Sequence, residues 1–237
     1  MAVTLGNTSS GQVTLAASLT VAHTIAAGDN KAAYCITYSR SRDVTGVTYG
    51  GSAMTDKASD VAFQGYIHLW AIAAPASGAQ NVVATASGGD SDITLRTIDF
   101  SNVDQVVLLD NPTSGHTSGT SLSVSATTID ADTYIVGGGS IETNTTLVSS
   151  TGATLFGELL ETGRRSSGGY EAIATPASEA MGWTAGSSGI MLAVIGAVAE
   201  AATGPTNLKS LNTNVKANIK SYNTNLIANI KSVNTNV

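Results

Sequence analysis

Apolar positions along this chain fall mostly in short alternating sets, the pattern of half-buried strands. Gln12–Leu19 and Leu19–Ile25 alternate in this way, divided by polar positions. Ala32–Tyr38 is a short apolar run closed by the polar Ser39-Arg40-Ser41-Arg42-Asp43. Val44–Tyr49 follows, and Gly50-Gly51 after it predicts a hairpin or bulge. The best-patterned strand is Tyr66–Ile72: Ile67, Leu69 and Ala71 share one face, and Tyr66, His68, Trp70 and Ile72 the other. Pro75-Ala76-Ser77-Gly78 predicts a turn, and Asn81–Ala86 the returning strand. Further strands are predicted over Ile93–Phe100, Leu122–Thr127, Thr133–Val136 and Ile190–Val198. Leu155–Glu161 reads as the one helical turn. Turn signals at intervals of about eight to twelve residues predict an all-β, antiparallel, jelly-roll-like β-sandwich over residues 1–204.

Composition sharpens this picture. A hydrophobic share of 42% supports a real core and excludes wholesale disorder. Twenty-five glycines without a Gly-X-Y period exclude collagen. A charged share of 12% is too low for the surface of a helical bundle, whereas Gly, Ala, Ser, Thr and Val suit short strands and tight turns.

Several short motifs then line up in order. Val47-Thr48-Tyr49-Gly50-Gly51-Ser52-Ala53-Met54-Thr55 is followed by Leu69-Trp70 and by Pro75-Ala76-Ser77-Gly78. Next come Asn81-Val82-Val83-Ala84-Thr85 and Ser101-Asn102-Val103-Asp104-Gln105. Trp183 followed by Ile190-Met191-Leu192-Ala193-Val194-Ile195 closes the series. Over roughly residues 1–200 this succession resembles a domain of bacteriophage structural and bacterial surface proteins. The chain departs from that pattern at Asn30-Lys31-Ala32-Ala33-Tyr34, where Asn-Arg-Leu-Leu-Val is usual, and at Ile195, where Val is usual. The resemblance implies a β-sandwich with a structural, non-catalytic role.

After Gly204-Pro205 the sequence becomes periodic, so residues 205–237 form a separate assembly segment. Asn207–Ala217 is repeated as Asn218–Ala228, and a truncated third copy runs from Asn229 to Val237. Read as helix, Leu208, Leu211, Val215, Ile219, Tyr222, Leu226, Ile230, Val233 and Val237 step by three, four and four, as in a right-handed coiled coil. Read as strand, Asn223-Thr224-Asn225 is a turn. Sixteen of the thirty-two residues from Thr206 are Asn, Thr or Ser, which disfavour helix interiors, so the β reading is preferred. Three short copies cannot bury enough apolar surface alone, and their Leu, Ile, Val and Tyr positions are the expected assembly interface. Tail repeats of similar phage proteins often carry a hairpin signal.

Charge is segregated in the same way. Thr206–Val237 holds Lys209, Lys216, Lys220 and Lys231 and no acid, which leaves seven basic against seventeen acidic groups in the other 205 residues. An acidic body repels phosphate backbones, so nucleic acid is not an expected partner. No apolar run is long enough to span a bilayer, and the N-terminus lacks a secretory pattern. The expected partners are further copies of the chain, a trimer being favoured, other virion proteins, and a host surface glycan in the adhesive alternative.

Chemistry is sparse. His23, His68 and His116 stand at no metal-ligand spacing. Asp90/Asp92 and Asp130/Asp132 share a D-x-D spacing that Ca²⁺ can use, but a polar turn explains each more simply. Gly137-Gly138-Gly139-Ser140 lacks the Lys-Thr of a phosphate loop, and Arg164-Arg165 reads as an exposed loop. Cys35, in an apolar run, reads as a buried inert thiol. Tyr49, Tyr66, Trp70 and Trp183 are the aromatics able to stack on a sugar, with core packing the simpler role for the tryptophans. No catalytic, cofactor or metal residues are assigned. The expectation is a non-enzymatic virion protein made in the host cytoplasm, a capsid decoration or head-fibre subunit. A tail-associated subunit and a carbohydrate-binding surface module are the alternatives; a depolymerase has no paired carboxylates to support it.

Overall fold

The structure is a computed structural model that describes residues 2–161 and 163–201. The chain divides into Met1–Ala201 and Ala202–Val237. The eleven-residue repeat, with its predicted interface Leu208, Leu211, Val215, Ile219, Tyr222, Leu226, Ile230 and Val233, lies outside the described residues.

Small and β-branched residues between turn signals form strands throughout the body. In chain order they begin β1 (Thr4–Ala16), β2 (Ser18–Ile25), β3 (Ala32–Arg40), β4 (Val44–Tyr49) and β5 (Ser52–Ala53). Next come β6 (Thr55–Ala62), β7 (Gly65–Ala73), β8 (Gly78–Ala86), β9 (Ser91–Ser101) and β10 (Leu109–Thr127). The last five are β11 (Thr133–Ile141), β12 (Leu147–Ser149), β13 (Thr154–Glu161), β14 (Arg164–Ile173) and β15 (Ser178–Val198). The body is all-β and antiparallel, as the turn spacing predicts, and its sandwich has three sheets. One sheet has the order β1-β9-β3-β7-β6, a second β10-β15-β11-β14-β13 with β12 added on β15, and a third β2-β8-β4-β5. The Gly50-Gly51 hairpin joins β4 and β5: Tyr49 pairs with Ser52, and the glycines take φ of +55° and +84°, as a two-residue type I′ turn requires.

The β1-β9-β3-β7-β6 sheet is the middle layer, and its two faces feed different cores. Tyr34, Ile36, Ile67, Leu69, Ile98 and Phe100 pack with Val136, Leu192 and Val194 of the second sheet. On the opposite face Ala33, Cys35, Trp70, Ile93 and Leu95 pack with Val47, Tyr49, Val82 and Ala84 of the third. The two-faced pattern predicted for Tyr66–Ile72 is therefore real, and both faces are largely covered. A third core forms because β10 and β15 are long. Their pairing is interrupted between Gly119 and Ser121. Val124, Ala126, Met181 and Trp183, from the far halves, pack with Ile135, Ile141, Met191, Ala193 and Ile195. Complete burial of each large apolar side chain contributes about 1.5–3 kcal/mol.

Two local expectations are corrected. Leu155–Glu161 is not a helical turn: it belongs to β13, and its apolar residues keep a helix-like spacing because a bulge intervenes. The pairing of β13 with β14 jumps between Phe156 and Leu159, around Gly157 at φ +58°. Arg164-Arg165 is not an exposed loop but the start of β14. Arg164 is buried because the Glu142 carboxylate, equally buried, compensates its charge, and Arg165 Nη1 donates to Glu158 Oε1 at 2.7 Å.

Candidate functional site

All three histidines of the chain sit against aspartates. His68, on the Trp70 side of β7, is the most elaborately held. Its Nδ1 lies 2.9 Å from Asp56 Oδ2 and its Nε2 2.7 Å from Asp43 Oδ1. The register of β6 on β7 brings Asp56 opposite Trp70, and Asp43 arrives from the turn before β4. The imidazole stacks on the Trp70 indole, with centroids 5.3 Å apart and planes 27° apart, and Trp70 Nε1 donates to Thr37 Oγ1 at 3.0 Å. Burial opposes the charged ring, but the hydrogen bonds and charges of Asp56 and then Asp43 outweigh it and raise the His68 pKa. Both ring nitrogens are occupied, so His68 positions Asp43 and has no free nitrogen for proton transfer to a third group.

A pocket of about 250 Å³ opens beside this clamp, lined by Asp43, Ser59, Asp60, Val61, Tyr66 and His68. Asp60 is held in turn by His116, whose Nδ1 lies 3.0 Å from Asp60 Oδ1. A larger pocket of about 280 Å³, between Ala2-Val3 and β11, offers Asp132 as its only charged side chain.

The third histidine forms a relay that sequence reasoning missed. Ser9 Oγ lies 3.0 Å from His23 Nδ1, and His23 Nε2 lies 3.0 Å from Asp99 Oδ1. Asp99 also accepts from the backbone N–H of Asn7 at 2.8 Å and of Ala26 at 3.0 Å. The order Ser–His–Asp is that of a hydrolase triad. However, His23 is only 2% exposed, and the relay lines neither pocket. Its role is to tie β1, β2 and β9 together, and Gly6 makes room for it: a Cβ there would stand 2.0 Å from Asp99 Oδ2.

A further polar cluster is buried between the first two sheets. Arg96 is fully buried; its Nε donates to Gly157 O at 2.6 Å, Nη1 to Thr94 Oγ1 at 2.9 Å, and Nη2 to Ser166 O at 2.8 Å. Desolvation lowers its pKa to about 9. Neither carboxyl oxygen of the buried Glu161 has a hydrogen-bond partner. Desolvation first, and then the charge of Asp92, raise its pKa to about 8. The Tyr38 hydroxyl donates to Glu142, which also pairs with Arg164.

The other sequence candidates scatter. Gly137–Ser140 lie buried in β11, against β14 and β15. Asp92 is buried and accepts from the Leu15 N–H, while Asp130 accepts from the Glu200 N–H. Cys35 is fully buried, and burial pushes its thiol up to about 12. Of the four aromatics, Tyr49, Trp70 and Trp183 are buried and Tyr66 alone is half-buried. Among the described residues no group of three or more His, Cys, Asp or Glu side chains is arranged to hold a metal ion. No family model, curated protein or solved structure matches this chain.

Proposed function

We propose that this chain is a non-enzymatic structural protein of a bacteriophage virion, a capsid decoration or head-fibre subunit. In this reading the three-sheet body is displayed and the C-terminal repeats hold copies of the chain together. The observation that carries it is the change in the chain near Ala201. An acidic body is followed by an acid-free segment with four lysines and an eleven-residue apolar repeat. Such a repeat gains stability only by packing against something else. Apolar burial between copies supplies the energy, and exposed lysine–carboxylate pairs add about 0.2–1 kcal/mol each.

The titratable clusters support a non-catalytic body. His68 has both nitrogens engaged, His23 is sealed, and Arg96 holds backbone carbonyls across two sheets. Light scattering on the full chain and on a chain ending at Ala201 tests the reading. The full chain is expected to be an oligomer, with a trimer favoured, and the shortened chain a folded monomer. A shortened chain of unchanged oligomeric state would overturn the assembly role of the repeat.

A further inference from the structure

We propose that the pocket beside the His68 clamp binds a single sugar ring, with Asp43, Ser59 and Tyr66 as its polar and stacking contacts. This goes beyond the assembly reading and does not depend on it. A pyranose needs an aromatic face to lie against, an acceptor for its hydroxyls, and space for one ring. Tyr66 provides the face. It is the one sugar-stacking candidate left half-buried, and it lines the pocket.

The acceptor is Asp43. One of its oxygens is fixed by His68 Nε2 at 2.7 Å, and the other makes no hydrogen bond among the described residues. The hydroxyls of Ser59 and Tyr66 are likewise free of side-chain and backbone partners there, and both residues line the same pocket. Three residues with unengaged polar groups thus line a space of about 250 Å³. That is just below the about 300 Å³ at which sites for drug-sized ligands begin, which suits one small ring.

The clamp gives this site its preorganisation. His68 cannot swing, because it is stacked on Trp70 and bonded at both nitrogens, so Asp43 is presented in one orientation before any ligand arrives. Asp43 and Asp60 both line the pocket, so an organic cation is the rival ligand to a neutral polyol. A small neutral ligand in an open pocket of this kind binds with a Kd of about 1 mM.

Saturation-transfer NMR on the full-length chain is the test, with D-glucose, D-galactose, N-acetyl-D-glucosamine and L-rhamnose titrated through the millimolar range. At least one sugar is expected to bind saturably. Its affinity should fall about tenfold or more in Asp43→Asn and in Tyr66→Ala, and less in Tyr66→Phe, which keeps the ring. Unchanged circular dichroism in the variants separates loss of the site from loss of the fold. Silence from all four sugars overturns the proposal, as does binding that neither variant weakens. Preference for n-butylammonium over every sugar also overturns it, since the pocket would then be a cation site. The mass of the oligomer can come out either way without touching this result.

Discussion

Glu161 shows how a single residue sets the response of the body to pH. Its carboxyl is buried without a hydrogen bond, so the neutral form is favoured and the pKa rises from 4.5 to about 8. His68 also holds its proton more tightly in the fold than in the unfolded chain. Both shifts are upward, so both contributions are complete below the unfolded values, 4.5 for Glu161 and 6.5 for His68. They are lost as the pH rises through the folded values. Tm is therefore expected to fall between about pH 5 and about pH 8.5. Glu161→Gln, which cannot ionise, should flatten that fall and be more stable than the natural chain at the alkaline end. Scanning calorimetry across the range checks both statements, and a slope identical in the two proteins would contradict them. Of the charges around Glu161, only Arg164, its partner across the β13–β14 hairpin, is near in sequence; Asp92 and Arg96 meet it through the stacking of two sheets.

At the scale of elements, the glycines of β11 decide how closely strands approach. A Cβ on Gly137 would stand 2.2 Å from the carbonyl oxygen of Val194, a backbone atom that cannot rotate away. Gly137→Ala is expected to cost about 3 kcal/mol or more, read as a lowered urea midpoint. Gly51→Ala, where a Cβ meets nothing within 4 Å, isolates the effect of positive φ alone and should cost less. The β7 strand is legible because large apolar residues alternate with polar or aromatic ones. Thr4–Ala16, Thr55–Ala62 and Ser178–Gly189 form strands with few large side chains, so alternation carries little signal there. In β13 the bulge at Gly157 turns strand spacing into helix spacing. The Asp43–His68–Asp56 clamp joins three separate segments, and only the register of β6 on β7 and the crossing into β4 bring them together. The alternation of Tyr66, His68 and Trp70 was the part of that site visible in the chain.

For the whole molecule, layering ranks the sheets by protection. β3 has eight of nine residues buried and β9 ten of eleven, because the middle sheet is covered on both faces. Native-state hydrogen exchange should be slowest in β3 and β9 and fastest in β5 and β12, which are short and lie at margins. Equal rates in the outer and middle sheets would show that the layers open as one unit. The same layering sets the fate of Cys35. Its sulfur lies in the core between the middle and third sheets, with its proton held up to about 12. Oxidants and thiol reagents act on an exposed thiolate, and the folded body offers neither exposure nor thiolate. The Cys35 thiol therefore stays unchanged between a reducing and an oxidising medium. This sulfur is insulation rather than a fastener, and no disulfide shares the load with the noncovalent packing of the sheets.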